Sequence, residues 1–271
     1  MTTRLATSAD GTPIAYEAEG TGMPVVLVDG ALSDRAVGPA RDIARVLSPD
    51  FSVYLYDRRG RGESGDTPPY AVEREIEDLA AVMDAAGGEA NVLGLSSGGG
   101  LALAAAASGV PMRALAAYEP PYVGLREARG RRVDYLSRIN ELLAAGDRGG
   151  AVSFFMVNVL GRPIFMPMFL RLMPRLWGKF KDLAHTLPYD ATVMNDFDVP
   201  VSQLADIHVP TLVMGGENSP RPMLAAVAAV ADAVPDARRV VLADQTHEVS
   251  EQALAPVVID FFAHQADSGP S

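Results

Sequence analysis

The sequence predicts a doubly wound α/β domain, a mostly parallel sheet wrapped by helices, with an all-helical insertion late in the chain. Three observations carry this. Short apolar, β-branched runs alternate with longer amphipathic stretches, as expected when strands covered on both faces are joined by crossover helices. One such run, 90–95, passes directly into Gly94-x-Ser96-x-Gly98 and then into alanine-rich 101–107, a strand–turn–helix pattern. The alternation then stops across 122–205, where helical patterning continues with no convincing strand.

The elements follow in order. Residues 3–7 and 14–19 flank Asp10-Gly11, a hairpin turn signal, and so open the sheet with an antiparallel pair. Val25-Val26-Leu27-Val28 is a buried strand, and 51–56 is the next. Residues 71–86 form an amphipathic helix stopped by Gly87-Gly88. After the strand at 90–95, residues 113–118 make another, ended by Pro120-Pro121. Late in the chain, 210–214 and 239–242 are strands that bracket a helix at 222–233, and 254–265 is a closing helix. The expected organisation is therefore a first core part at 1–121, a helical cap at 122–205, a second core part at 206–265 and a tail at 266–271. The cap is expected over the carboxyl edge of the sheet, where open α/β folds bind ligands. Its Phe154, Phe155, Met156, Val159, Phe165, Met166, Met168, Phe169, Met173 and Trp177 serve either as its own core or as walls of a malleable apolar pocket.

Composition narrows the function. With 271 residues, 48% hydrophobic and 21% charged, the chain can bury a sizeable core. A net charge of −11 argues against nucleic acid or an anionic membrane as partner, and the arginine-rich pieces at 58–61 and 126–132 read as solvated surface. There is no cysteine, which excludes disulfides, thiolate metal sites and cysteine nucleophiles. The four histidines show no metal-ligand spacing, and no metal or cofactor is expected. The first residues lack an apolar signal core and no apolar run is long enough to span a bilayer, so a cytoplasmic protein is expected.

The chemistry centres on Ser96. A serine in a tight strand-to-helix turn has its hydroxyl pushed above the sheet, and the flanking glycines avoid collisions with neighbouring backbone. A serine hydroxyl becomes nucleophilic only when a base takes its proton, and that base must be oriented by an acid. His247, in the loop between the last strand and the last helix, has the right topological position. His185, His208 and His264 are placed less well. An oxyanion hole needs two backbone N–H groups, which Ser97 and Ala31 can supply, the latter from the loop Asp29-Gly30-Ala31.

These residues resemble the α/β-hydrolase superfamily over essentially the whole chain, through the serine elbow, the segment Asp57-Arg58-Arg59-Gly60-Arg61-Gly62-Glu63-Ser64 and the late Gln245-Thr246-His247. The resemblance implies Ser96 as nucleophile, His247 as general base and Ala31 with Ser97 as oxyanion donors, and assigns Asp57 and Arg59 a structural role. Two departures stand out. Relatives carry His-Gly where this chain has Asp29-Gly30, and Asp29 is expected to anchor the loop by accepting backbone hydrogen bonds. The register of the usual triad aspartate reads Gly215-Gly216-Glu217-Asn218, with asparagine in its place. Asparagine can orient an imidazole but cannot balance its positive charge. Glu119, at the end of the strand beside the nucleophile strand, is the first candidate for the acid, because some relatives move the acid to that strand end. Glu217 and Asn218 are the alternatives. The implied activity is cofactor-free hydrolysis of a small to medium apolar ester, lactone or thioester through an acyl-enzyme. Alternatives are a non-hydrolytic enzyme on the same fold, such as a lyase, perhydrolase or cyclase, or a catalytically weak ligand-binding protein. Oligomeric state is not legible.

Overall fold

The computed structural model describes residues 2–124 and 134–266. The arginine-rich stretch 126–132 and, apart from Ala266, the expected tail lie outside them.

Eight strands form one sheet. They are β1 (Arg4–Thr7), β2 (Pro13–Glu19), β3 (Pro24–Val28), β4 (Ser52–Tyr56), β5 (Asn91–Leu95), β6 (Leu115–Tyr118), β7 (Thr211–Gly216) and β8 (Arg238–Leu242). Their order is β1-β2-β4-β3-β5-β6-β7-β8. β1 and β2 pair antiparallel, as does β2 with β4, and every later pairing is parallel. Five helices follow the core strands: α1 (Ala40–Leu47), α2 (Val72–Ala85), α3 (Ser97–Ala107), α10 (Arg221–Ala233) and α11 (Glu251–Ala266). The expected strands and helices all form, with ends no more than four residues from those expected. α1 was not anticipated, although Ala40, Ile43, Ala44 and Leu47 recur at helical spacing and all four are buried.

Alternation along each strand sorts the core into two layers. Val26, Val28, Val92, Leu115 and Ala117 face α2, α3 and α10, whereas Val25, Leu27, Leu93, Leu95 and Ala116 face α1 and α11. This double coverage is why the central strands read as unbroken apolar runs.

Between β6 and β7 the described residues are helical, with no strand. They form α4 (Tyr135–Ala144), α5 (Arg148–Asn158), α6 (Met166–Leu170), α7 (Pro174–Leu183), α8 (Leu187–Val193) and α9 (Val201–Leu204), with short 3₁₀ turns at Ala184–Thr186 and Asn195–Phe197. Tyr135, fully buried, packs its ring against Phe154, Phe155 and Phe197. This stretch belongs to the same continuous apolar cluster as the α3 face of the sheet.

The arginines after β4 are not surface residues. Arg58, Arg59 and Arg61 are 2%, 0% and 2% exposed. The reading of this piece as solvated fails because each guanidinium has buried carboxylate partners supplied from far along the chain. Arg59 makes a two-pronged contact with Asp78 of α2 at 2.7 Å through both nitrogens, and reaches Asp10 at 3.0 Å. Removing one partner of a buried ion pair leaves the other charge unpaired. We expect Arg59→Met to lower unfolding free energy by about 3–5 kcal/mol, measured by urea denaturation. The double variant Arg59→Met/Asp78→Leu should recover most of that loss.

Candidate active site

Ser96 sits at φ 53°, ψ −127°, a backbone conformation that L-residues rarely adopt. The turn is held by the Ser96 N–H donating to the Tyr118 carbonyl at 2.8 Å. The glycines are required by space. A Cβ at position 94 would lie 2.5 Å from the Gly99 Cα, and one at position 98 would lie 2.2 Å from the Val28 carbonyl oxygen. β5 therefore runs into α3 with no room for a side chain on either side of the serine.

Three side chains from three separate parts of the chain converge here. The Ser96 Oγ lies 3.1 Å from His247 Nε2, and His247 Nδ1 lies 2.8 Å from Glu119 Oε2. With Nδ1–H donating to the carboxylate, Nε2 is left as the acceptor for the serine hydroxyl. Glu119 is fully buried and has φ 45°, so the chain turns sharply at the end of β6. Its Oε1 accepts from the Gly216 N–H at 2.7 Å, which fixes the carboxylate while Oε2 faces the imidazole. The His247 loop is fastened on both flanks. The Tyr118 hydroxyl donates to the Thr246 carbonyl at 2.5 Å, and the Asn218 N–H donates to the Gln245 carbonyl at 2.8 Å. Gly216 allows this approach, since a Cβ there would fall 2.5 Å from the Gln245 oxygen.

The alternative acids are placed elsewhere. Glu217 is exposed and accepts from the Asp244 N–H at 3.2 Å, and Asn218 is exposed, contributing only its backbone to the histidine loop. A loop position one residue along from the usual acid points its side chain away from the imidazole. Of the remaining histidines, His185 bonds the Asp182 carbonyl, His264 faces Asp260 and His208 is exposed.

The loop after β3 lies against the serine: the space beside Gly30 is limited by the Ser96 Cβ at 3.0 Å. The Gly30 carbonyl accepts from Arg61 Nη1 at 2.5 Å and from the Ser33 hydroxyl at 2.6 Å. Because the Gly30–Ala31 peptide is trans, the Ala31 N–H points opposite to that carbonyl. Arg61 and Ser33 thus set the direction of the Ala31 N–H. Among the described residues none accepts from the Ala31 N–H or from the Ser97 N–H. Arg61 is in turn held by Asp190 of α8, whose Oδ1 and Oδ2 lie 2.9 and 2.8 Å from Nη2. Asp190 also accepts from Arg58 and from the Ser97 hydroxyl, each at 2.8 Å. Although burial opposes its charge, Arg61 and Arg58 hold the Asp190 carboxyl below the usual range. Nothing in the sequence pattern pointed to Asp190; it is a lone carboxylate in a helical stretch.

A cavity of about 540 Å³ opens above Ser96 and His247. Its walls include Leu32, Val37, Leu95 and Tyr118 from the core, with Phe155, Met156, Met166, Leu170 and Phe180 from the helices between β6 and β7. Of the Met and Phe residues singled out in that stretch, Phe155, Met156 and Met166 face this cavity, and Phe154 and Trp177 pack in the core. Phe165, Met168, Phe169 and Met173 do neither, because they are exposed.

Over residues 25–260 the sequence matches the Alpha/beta hydrolase family. The chain belongs to this family. RutD of Azorhizobium caulinodans, a proposed carbamate hydrolase, is 30% identical over 245 residues, covering 82% of this chain and 83% of that protein. The crystal structure of an alpha/beta hydrolase from Sphaerobacter thermophilus superposes with a TM-score of 0.85 at 50% identity, over 96% of this chain and all of that one. The enol-lactonase of Burkholderia xenovorans shares the fold at 24% identity, with a TM-score of 0.69 over 96% of this chain and all of that one.

In this α/β hydrolase the aspartate that departs from the family pattern is only half satisfied. Asp29 Oδ1 accepts from the Gly30 N–H at 2.7 Å, as an anchoring role requires. Its Oδ2 is buried and has no partner among the described residues. Burial pushes the carboxyl up to about 6, more than the Gly30 amide, the nearby Ser33 hydroxyl and the Arg61 charge can offset. A carboxyl raised in the folded state favours folding fully below its unfolded pKa near 4, and that contribution is lost as pH climbs to about 6. We therefore expect Asp29→Asn to match the parent in stability at pH 4 and to exceed it above pH 6, by up to about 3 kcal/mol. Denaturant unfolding across that range checks this; an advantage that fails to grow with pH contradicts it.

Proposed function

We propose that this protein is a serine hydrolase that cleaves small to medium apolar esters, lactones or thioesters through an acyl-enzyme. The observation that carries the proposal is the unbroken relay from the Ser96 hydroxyl through His247 to the buried Glu119, at 3.1 and 2.8 Å. The helices of 122–205 act as the cap over this site, and their apolar side chains set the preference for an apolar acyl or alcohol group.

In this reading His247 Nε2 takes the proton as Ser96 Oγ attacks the substrate carbonyl. Glu119 fixes the ring through Nδ1–H and balances the imidazolium charge. The Ala31 and Ser97 N–H groups, which have no acceptor among the described residues, stabilise the tetrahedral oxyanion. His247 then protonates the leaving alkoxide or thiolate, and the Ser96 acyl ester remains. A water molecule gives its proton to His247 and attacks that ester, which releases the carboxylic acid and returns the proton to Ser96 Oγ. The carboxylate within reach of His247 supports this reading over that of a weak binding protein, which rested on the asparagine at 218.

Glu119→Gln presents an amide N–H or oxygen where a carboxylate accepted, so the ring loses its charge partner and its preferred tautomer. We expect Ser96→Ala to abolish turnover of a short-chain nitrophenyl ester, and Glu119→Gln to lower kcat by about 10³–10⁴. Glu217→Gln should stay within about twofold of the parent, as an exposed surface change does. Fluorophosphonate labelling should be rapid and stoichiometric at Ser96. Full ester turnover in Ser96→Ala would overturn the assignment, and an unaffected Glu119→Gln would return the acid role to another residue.

A further inference from the structure

Six of the nine large apolar side chains that the described residues leave exposed fall within ten consecutive positions. They are Ile164, Phe165, Met168, Phe169, Leu172 and Met173, between 48% and 84% exposed. Soluble surfaces rarely cluster large apolar groups in this way without using them. They lie on and around α6, and the inward side of that helix supplies Met166 and Leu170 to the cavity above Ser96.

Charge is segregated in the same stretch. Residues 148–181 hold six arginines and lysines and no aspartate or glutamate, in a chain whose net charge is −11. Arg171, Arg175, Lys179 and Lys181 are exposed. Arg171 lies over the Trp177 ring at 5.4 Å. Arg175, Lys179 and Lys181 have no ion-pair partner among the described residues. A second copy docking by this face about a twofold axis would bring these like charges together, which disfavours a symmetric dimer here. Exposed aromatic and aliphatic groups beside uncompensated cations are the composition of an interfacial membrane contact. No described helix is long and apolar enough to cross a bilayer, so such contact is peripheral.

We propose that the α6–α7 face docks on the surface of an anionic phospholipid bilayer, with Phe165, Met168 and Phe169 entering the acyl boundary and Arg175 and Lys179 facing the headgroups. The net charge of the whole chain conceals this, because the cations are concentrated in one segment. Docking there sets the cavity wall against the lipid surface, so an apolar substrate dissolved in the bilayer enters beside Met166 and Leu170. The docking does not depend on the hydrolytic reading.

The test is co-sedimentation with phosphatidylglycerol vesicles and with phosphatidylcholine vesicles, using both the parent and Ser96→Ala so that binding is scored apart from activity. The expected result is salt-sensitive binding to the anionic vesicles, equal for the two proteins and weak on phosphatidylcholine. Phe165→Ser/Phe169→Ser and Arg175→Glu/Lys179→Glu should each weaken it by about tenfold or more. Unchanged thermal unfolding verifies that each variant is folded, and either double variant alone suffices if the other is not. No binding to anionic vesicles, binding indifferent to every folded variant, or a solution dimer that Phe165→Ser/Phe169→Ser dissolves would each overturn the proposal.

Discussion

One buried carboxylate holds the site and the inserted helices in register. Asp190 lies in α8, yet it bonds Arg58 and Arg61 from the loop after β4 and Ser97 from the first turn of α3. Arg58 also grips Glu75 of α2 through both Nε and Nη2, at 2.7 and 2.8 Å. All of these groups are nearly inaccessible to water. In such surroundings an unmatched charge costs several kcal/mol, so displacement of any one partner is opposed by all the others. Replacing the whole set by apolar residues could preserve stability, as buried ion pairs often allow. It would leave the direction of the Gly30–Ala31 peptide to the Ser33 hydroxyl alone, since Arg61 is the other donor to the Gly30 carbonyl.

That Glu119, at the end of β6, meets His247 follows from adjacency in the sheet. β6 lies between β5, which carries Ser96, and β7, which ends at Gly216. A carboxylate at either neighbouring strand end can reach an imidazole poised over the serine. Here the β7 end is filled by two glycines, and the histidine loop packs directly onto the second of them. Gly216 thus does two jobs: its missing side chain admits the Gln245–Thr246 backbone, and its backbone N–H donates to one oxygen of Glu119. The positive φ at Glu119 is the local cost of turning that side chain toward the histidine.

Much of this architecture is visible in the residues because it is local. The serine elbow is encoded by glycines within two positions of Ser96, and the buried strands by their β-branched runs. Glu119 could be singled out because Pro120-Pro121 fixes where the strand ends and because the resemblance includes relatives that carry the acid at that strand end. What escaped notice is non-local. The arginines of 58–61 look like a solvated basic turn until Glu75, Asp78 and Asp190 are brought to them from up to 132 positions away. Whether a Met or Phe of the insertion faces the cavity, the core or water depends on how short helices are tilted, and hydrophobicity does not record tilt. α1 is a different case: its spacing was present, but eight residues between two strong strands give a weak signal.

The insertion is anchored unevenly, and this bears on how the cavity admits a substrate. α4, α5 and the turn at Asn195–Phe197 are tied to one another through Tyr135 and the aromatic cluster around it, and α8 is tied to the core through Asp190. α6 contributes only Pro167 to the buried set, and Arg162 before it meets the exposed Glu248 beside His247. A surface ion pair of this kind adds little stability. The wall formed by Met166 and Leu170 therefore sits on a helix with a single buried residue, and few buried contacts are the condition under which a local element opens at low free-energy cost. Rigid groups surround the reacting atoms, and the loosely held wall lies on the side that carries the exposed apolar residues. No hydrogen bond among Ser96, His247 and Glu119 originates in α6 or α7, so the reacting geometry is set by the sheet and its loops rather than by that wall.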